Sequence, residues 1–304
     1  MRWAGAVLAV GSACGFAFSG PMAKYLVAGG MTPVEAVWVR LAGSGVLMVL
    51  VLGLFRPGAL RIARSRWTFV GLYALTAVAA VQTLFFVAVT RLPVGIALLL
   101  VSMAPVLVVA WVRLVRRLRL PRSAYAGAVV AVAGLAIVVE AWREIRLDGL
   151  GLATGLLAAA CSAGYFLMNE SFGDEVDPLA LIAWGTVGAT VVLAPPASPW
   201  DLPWEAFRTS VAPGGVELPV LVAYLLMVVA GTVLPYVWGV HAVRRLSAAV
   251  AATMGTIEVI AGAVMAWGFL GETLGAFQIA GGVVVLCGAV LARRSQHAPD
   301  RVLA

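Results

Sequence analysis

The chain has little charge. Asp, Glu, Lys and Arg make up 12% of its 304 residues, about half the roughly 25% of a soluble domain. So few charges cannot solvate a globule of this size, which leaves lipid as the solvent for most of the surface. Histidine is almost missing: His241 and His297 are the two in the chain. With no HExxH, Walker loop or G-x-S-x-G, catalysis has no foothold. The nearest approach to an intramembrane serine-protease site, Ala17-Phe18-Ser19-Gly20, lacks the first glycine. Cysteine is equally sparse. Cys14, Cys161 and Cys287 each sit alone in an apolar run without a CxxC partner, so no disulfide, metal site or redox cofactor is expected.

What the chain has in abundance is apolar sequence, 62% of all residues, with a mean hydropathy of +1.02. A crossing of the hydrocarbon layer takes about 20 apolar residues. That ruler predicts helices over 3–24, 33–55, 68–89, 93–114 and 122–141, then 149–171, 177–195, 219–242, 247–269 and 273–292. The fold class is therefore an all-α membrane protein of ten transmembrane helices. Arg2, the long apolar run and Cys14 invite comparison with a signal or lipoprotein leader. Gly11-Ser12-Ala13 lacks the usual Leu or Val before Cys14, and the run outlasts a leader's apolar core, so it reads as the first crossing.

The net charge of +7 raises the question of nucleic acid, and the position of the arginines answers it. Arg56, Arg61, Arg64 and Arg66 share one side of the predicted topology with Arg113, Arg116, Arg117, Arg119 and Arg122. Arg244, Arg245, Arg293, Arg294 and Arg301 fall on the same side. Under the positive-inside rule this side is cytoplasmic, both termini with it. The basic charge follows from topology, and the expected environment is the lipid bilayer of the cell inner membrane.

A repeat is visible. Ala126-Gly127-Ala128-Val129-Val130 returns 154 residues later as Ala280-Gly281-Gly282-Val283-Val284, and Arg91-Leu92 returns as Arg245-Leu246. Pro33 and Pro178, with Gly43 and Gly188, match at an offset of 145. Units of five helices, an odd number, enter the bilayer from opposite sides, which yields inverted repeats over 3–141 and 149–292 with a polar cytoplasmic tail at 293–304. In transporters so built, the substrate site lies at the repeat interface near the midplane.

Ionisable groups at that depth cost about 2.5–3.5 kcal/mol each on insertion scales. Glu258 lies about eleven residues into the ninth helix, near the midplane by the helix rise. It reads as a coupling or cavity carboxyl, or as a protonated glutamate holding the bundle together. Arg40, about seven residues into the second helix, has three readings: snorkelling outward, pairing with Glu35, or holding an anionic substrate group. Lys24 and Glu140 lie nearer the outer interface, where charge is cheap. Gln82, Asn169, Thr253 and Ser102 line a polar cavity or bond neighbouring helices. Trp38, Tyr165, Tyr236 and Trp238 shape a pocket or belong to an interfacial belt.

Thr90-Arg91-Leu92-Pro93-Val94-Gly95-Ile96-Ala97 with Pro105, then Leu234-Pro235-Tyr236 and Arg245-Leu246-Ser247-Ala248, carry a resemblance. So do Met254-Gly255-Thr256-Ile257-Glu258 and Gly271-Glu272-Thr273-Leu274. Together these resemble the EamA branch of the drug/metabolite transporter superfamily, most of all its members of the threonine/homoserine exporter type. Two departures stand out: Glu258-Val259 replaces a frequent Glu-Pro, and the Gly-Glu motif has no copy in the first half. The resemblance implies an inner-membrane carrier exporting amino acids or related metabolites by alternating access; the depth of Glu258 in the membrane suits protons as the coupling ion. An exporter of apolar drugs or toxins, and a receptor or sensor that transports nothing, are the other readings. Substrate and oligomeric state are not written in the sequence.

Overall fold

The computed structural model describes residues 2–117, 120–138, 147–172, 177–245 and 248–296. Side chains are described within these ranges except at 2–3, 165–166, 168–172, 243–245, 248–256 and 293–296. Among the described residues the helices group into ten rods. They are α1–α2 (Arg2–Ala17, Ser19–Ala28), α3 (Pro33–Phe55), α4–α5 (Trp67–Tyr73, Val81–Arg91) and α6–α7 (Val94–Val101, Ala104–Leu114). Next come α8 (Arg122–Val138), α9 (Gly149–Phe172), α10 (Pro178–Ala197) and α11–α12 (Val220–Val228, Leu234–Arg245). The last two are α13 (Ala248–Leu270) and α14 (Ala276–Gln296). Six rods are long and apolar enough to cross a membrane, and Arg122–Val138, Gly149–Gly164, Ile257–Leu270 and Ala276–Ala292 form shorter apolar helices. Leu54, Val129, Val191 and Val264 stand more than half exposed on the outside of the rods, as lipid-facing side chains do. A small hairpin, β1 (Ser210–Val211) paired with β2 (Leu218–Pro219), lies between α10 and α11.

Proline explains most of the breaks. A proline at position i leaves the carbonyl of residue i−4 without its helical donor. Pro21 follows the break at Phe18 between α1 and α2. Pro105 follows the break between α6 and α7, where the Met103 N–H turns to Leu100 O at 3.0 Å, an i→i−3 bond. At the position matching Pro105 the ninth rod has Val259, and α13 runs unbroken. With valine there, the helix keeps its hydrogen-bond ladder and needs no break. Pro235 strips the donor from Gly231 O, and the Ser19 hydroxyl replaces it at 2.9 Å. The freed carbonyl in one rod is thus capped from the break in another.

The third and eighth rods each hold a wider π-helical stretch, Ala74–Ala80 and Val229–Val233. Adding 154 to the first range gives 228–234, so the irregularities coincide in the repeat. Arg117 and Gly271, also 154 apart, both take left-handed turns, with φ of 56° and 63°. The caps of α3 and α10 agree at the other offset. Thr32 accepts the Glu35 N–H and Asp177 accepts the Leu179 N–H, each just before a proline.

Backbones touch where α8 meets α14. A Cβ added to Gly134 would stand 2.9 Å from Gly281 O, and one on Gly281 would stand 2.8 Å from Gly134 O. Gly127 and Gly288 oppose each other in the same way, at 2.8 and 2.7 Å. Since Gly127 matches Gly281 and Gly134 matches Gly288 in the repeat, this contact is self-complementary, like an isologous interface.

Two outcomes test this packing. Gly134→Leu is expected to cost about 1–3 kcal/mol through overpacking, seen as a lower Tm of the purified protein in detergent. Ser19→Ala is expected to cost about 1–3 kcal/mol, because it leaves Gly231 O with the longer Arg40 contact alone and takes an acceptor from the buried guanidinium. Part of that loss should return with Pro235→Ala, whose new N–H supplies Gly231 O.

Candidate functional site

The sequence put Arg40 in a helix and left its direction open. The structure turns it inward: α3 buries the face Arg40, Ser44, Met48 and Leu52, four residues apart, and Arg40 is 2% exposed. Snorkelling is therefore excluded. Pairing with Glu35 is excluded as well, because the Glu35 carboxylate accepts the Thr32 N–H at 2.7 Å to close a capping box.

The guanidinium instead meets neutral groups. Nε donates to Thr232 Oγ1 at 3.0 Å, Nη1 to Gln82 Oε1 at 2.9 Å, and Nη2 to Ser19 Oγ at 2.9 Å and Gly231 O at 3.3 Å. The Phe86 ring lies 5.4 Å from its central carbon, close enough for a cation–π contact. Removing an arginine from water costs several kcal/mol, and hydrogen bonds to a charged group return about 1.5–3 kcal/mol each. Four such bonds suffice to hold the charge in place. They occupy four of the five N–H groups of the fork. One N–H on Nη1 has no protein acceptor among the described residues.

Each partner comes from an irregular point in a helix. Ser19 stands at the break between α1 and α2, Gly231 and Thr232 lie in the π-helical stretch of the eighth rod, and Gln82 follows that of the third. Gln82 and Tyr236 occupy matching places in the repeat. Both lie beside Arg40, Gln82 by its hydrogen bond and Tyr236 by its electrostatic influence. Tyr236 also packs edge-on against Phe16, with ring centroids 4.8 Å apart. The adjacent Thr83 hydroxyl is buried with no hydrogen-bond partner among the described residues.

Glu258 is half-buried on α13, within electrostatic reach of Arg40. Among the described residues no hydrogen bond or ion pair engages its carboxylate. Among the described residues, a fixed cation and a carboxylate without a bonded partner thus lie within electrostatic reach of each other, an arrangement able to hold a zwitterion or exchange a proton. Below Arg40 on α3, toward the arginine-rich end, lies an apolar cavity lined by Met48, Leu52, Val233 and Val237, with Arg56 and His241 among its walls.

Of the residues singled out from sequence, the structure gathers Arg40, Gln82, Tyr236 and Glu258. Trp38 instead donates its indole N–H to Thr190 O at 3.0 Å, tying α3 to α10, and Trp238 packs on Gly11 of α1. The side chains of Tyr165, Asn169 and Thr253 lie outside the described residues, as does Glu140. Ser19, Phe86 and Thr232 were missed. The signal for Ser19 and Thr232 was their closeness to Pro21 and Pro235; nothing in the sequence marks Phe86.

Comparison with known proteins agrees with this architecture. The family model of the EamA-like transporter family matches twice, over residues 3–140 and 149–294. The threonine/homoserine exporter RhtA of Salmonella typhimurium strain LT2 is 28% identical over 247 residues, covering 80% of this chain and 76% of the relative. RhtA of Escherichia coli K12 is 27% identical over 232 residues, covering 76% and 72%. The uncharacterized transporter YwfM of Bacillus subtilis strain 168 is 24% identical over 246 residues, covering 80% and 78%. One solved crystal structure superposes over 98% of this chain and 100% of its own with a TM-score of 0.60 at 16% identity, a likeness of fold. The chain is a multi-pass membrane protein that belongs to the EamA-like transporter family.

Proposed function

We propose that this protein is a secondary active transporter that exports small polar metabolites, amino acids and their relatives first, by alternating access. Its ten rods each cross the inner membrane, as two inverted five-helix repeats over 3–141 and 149–292, with both termini and the tail at 293–304 in the cytoplasm. The matched π-helical stretches, the matched turns at Arg117 and Gly271, and the reciprocal glycine contacts support this plan.

The observation that carries the functional reading is the unequal centre of an otherwise repeated molecule. The position matching Arg40 holds Gly185, and the position matching Glu258 holds Ala104. Each half contributes one charge that the other lacks, and the two lie within electrostatic reach of each other with no bond between them among the described residues. In the proposed mechanism the free N–H of Arg40 receives the carboxylate of the substrate. Glu258 receives its ammonium group or a proton, so that proton entry and substrate exit compete for one carboxylate. The relatives named as threonine/homoserine exporters favour amino acids as the first substrates to try.

A second reading, export of apolar compounds, is favoured by the almost wholly apolar cavity below Arg40. Efflux from proteoliposomes loaded with mixed amino acids and simple metabolites separates the two. Wild type should lose one class selectively in a proton gradient, and Glu258→Gln should abolish that dependence. Equal loss from both proteins would make Glu258 structural. Loss of lipophilic cations alone would favour the second reading, and saturable ligand binding without flux would make the protein a receptor.

A further inference from the structure

Opposite the arginine-rich end, a second group of charges fastens the two halves together. Lys24, midway along α2, pairs through Nζ with Glu272 Oε1 and donates to Leu92 O at 3.1 Å. Glu272 Oε2 accepts the Val94 N–H at 2.8 Å, an amide in the first turn of α6. Such amides lack a helical partner and sit at the positive end of the helix, so a carboxylate suits them twice over. One side chain from the second half thereby grips two rods of the first. Beside it the Tyr25 hydroxyl lies 2.8 Å from Val216 O and 3.1 Å from Phe269 O. The loop before α11 and the end of α13 are thus drawn onto the same spot.

We propose that Lys24 and Glu272 form the latch of an outer gate. This rests on the reading of the protein as an exporter working by alternating access. The latch holds the outer end shut while the carrier loads from the cytoplasm, and it parts each time substrate leaves.

Three observations support this. The pair joins the two halves, so it must break if they separate at that end. Its side chains are 22% and 17% exposed, whereas Arg91 and Asp148, also joining the halves nearby, are 44% and 40% exposed at 3.3 Å. Solvent screens the second pair far more than the first. Finally, the latch has no copy at the arginine-rich end. Gly271 is matched there by Arg117, with the same left-handed turn, but Glu272 is matched by Leu118. An apolar side chain cannot form this pair, so the repeat does not carry the same latch to the other end.

The test reads accessibility and needs no substrate. In the full chain with Cys14, Cys161 and Cys287 replaced by alanine, Phe18→Cys reports the outer approach and Val237→Cys the inner cavity. A membrane-impermeant maleimide is applied to intact cells for the first reporter and to inside-out vesicles for the second. Lys24→Gln and Glu272→Gln should each speed outer labelling about five- to tenfold, the scale of a partly buried ion pair. Each should also slow inner labelling. The double variant should match the single ones, because both remove one interaction. Unchanged rates overturn the latch, and so do independent effects that multiply. Faster labelling from both sides marks a loosened fold and also overturns it. Failure of the efflux assay with opposed labelling shifts would instead count against the substrate reading.

Discussion

Much of this molecule depends on one buried cation. Arg40 lies where a charge is costly, and it is tolerated because four of its N–H groups reach oxygen atoms that the surrounding helices cannot satisfy by themselves or hold out for it. Gly231 O is free because Pro235 has no N–H. Ser19 is free because its helix breaks before Pro21. The defects and the charge therefore stabilise one another. Lysine could not take this place: it has one nitrogen, and the four acceptors are spread around the planar fork of a guanidinium.

The repeated scaffold and the unrepeated centre play different parts. Symmetry sets where the helices bend and widen, since the π-helical stretches and the left-handed turns recur at one spacing. The chemistry lies where symmetry fails. Arg40 against Gly185, Glu258 against Ala104, Pro105 against Val259 and Glu272 against Leu118 each give one half something the other lacks. An ideal inverted pair would have two end states of equal energy. These four substitutions remove that equality, and they do so with kinked or straight helices and single charges rather than with extra domains.

How much was legible in the sequence follows from which interactions leave a linear trace. Helix lengths were readable because long apolar runs mark them: 33–55 is α3 to the residue, and 149–171 misses α9 by one. Arg40 and Glu258 stood out because a charge in an apolar run is rare. The valine at 259 in place of proline was readable as a departure, and α13 runs unbroken through it. Rotation about the helix axis was not readable. These rods are apolar on nearly every side, so no amphipathic stripe tells which face turns inward. For that reason Phe86 passed unnoticed and Trp38 and Trp238 read as pocket or belt residues, although they serve helix contacts. Glu35 was offered to Arg40 because both lie in α3, whereas the nearby Thr32 cap had already taken it.

The seam between α8 and α14 has a mechanical consequence. Glycines at 127 and 134 face glycines at 288 and 281 with no side chain between them. A slide along that line would press Ala131 or Val285, both buried on the seam, toward a backbone that has room for hydrogen alone. The two helices are keyed like teeth in a rack that has been pinned. In the proposed cycle this pair keeps its register, and any motion of the other rods is hung from it as from an axle.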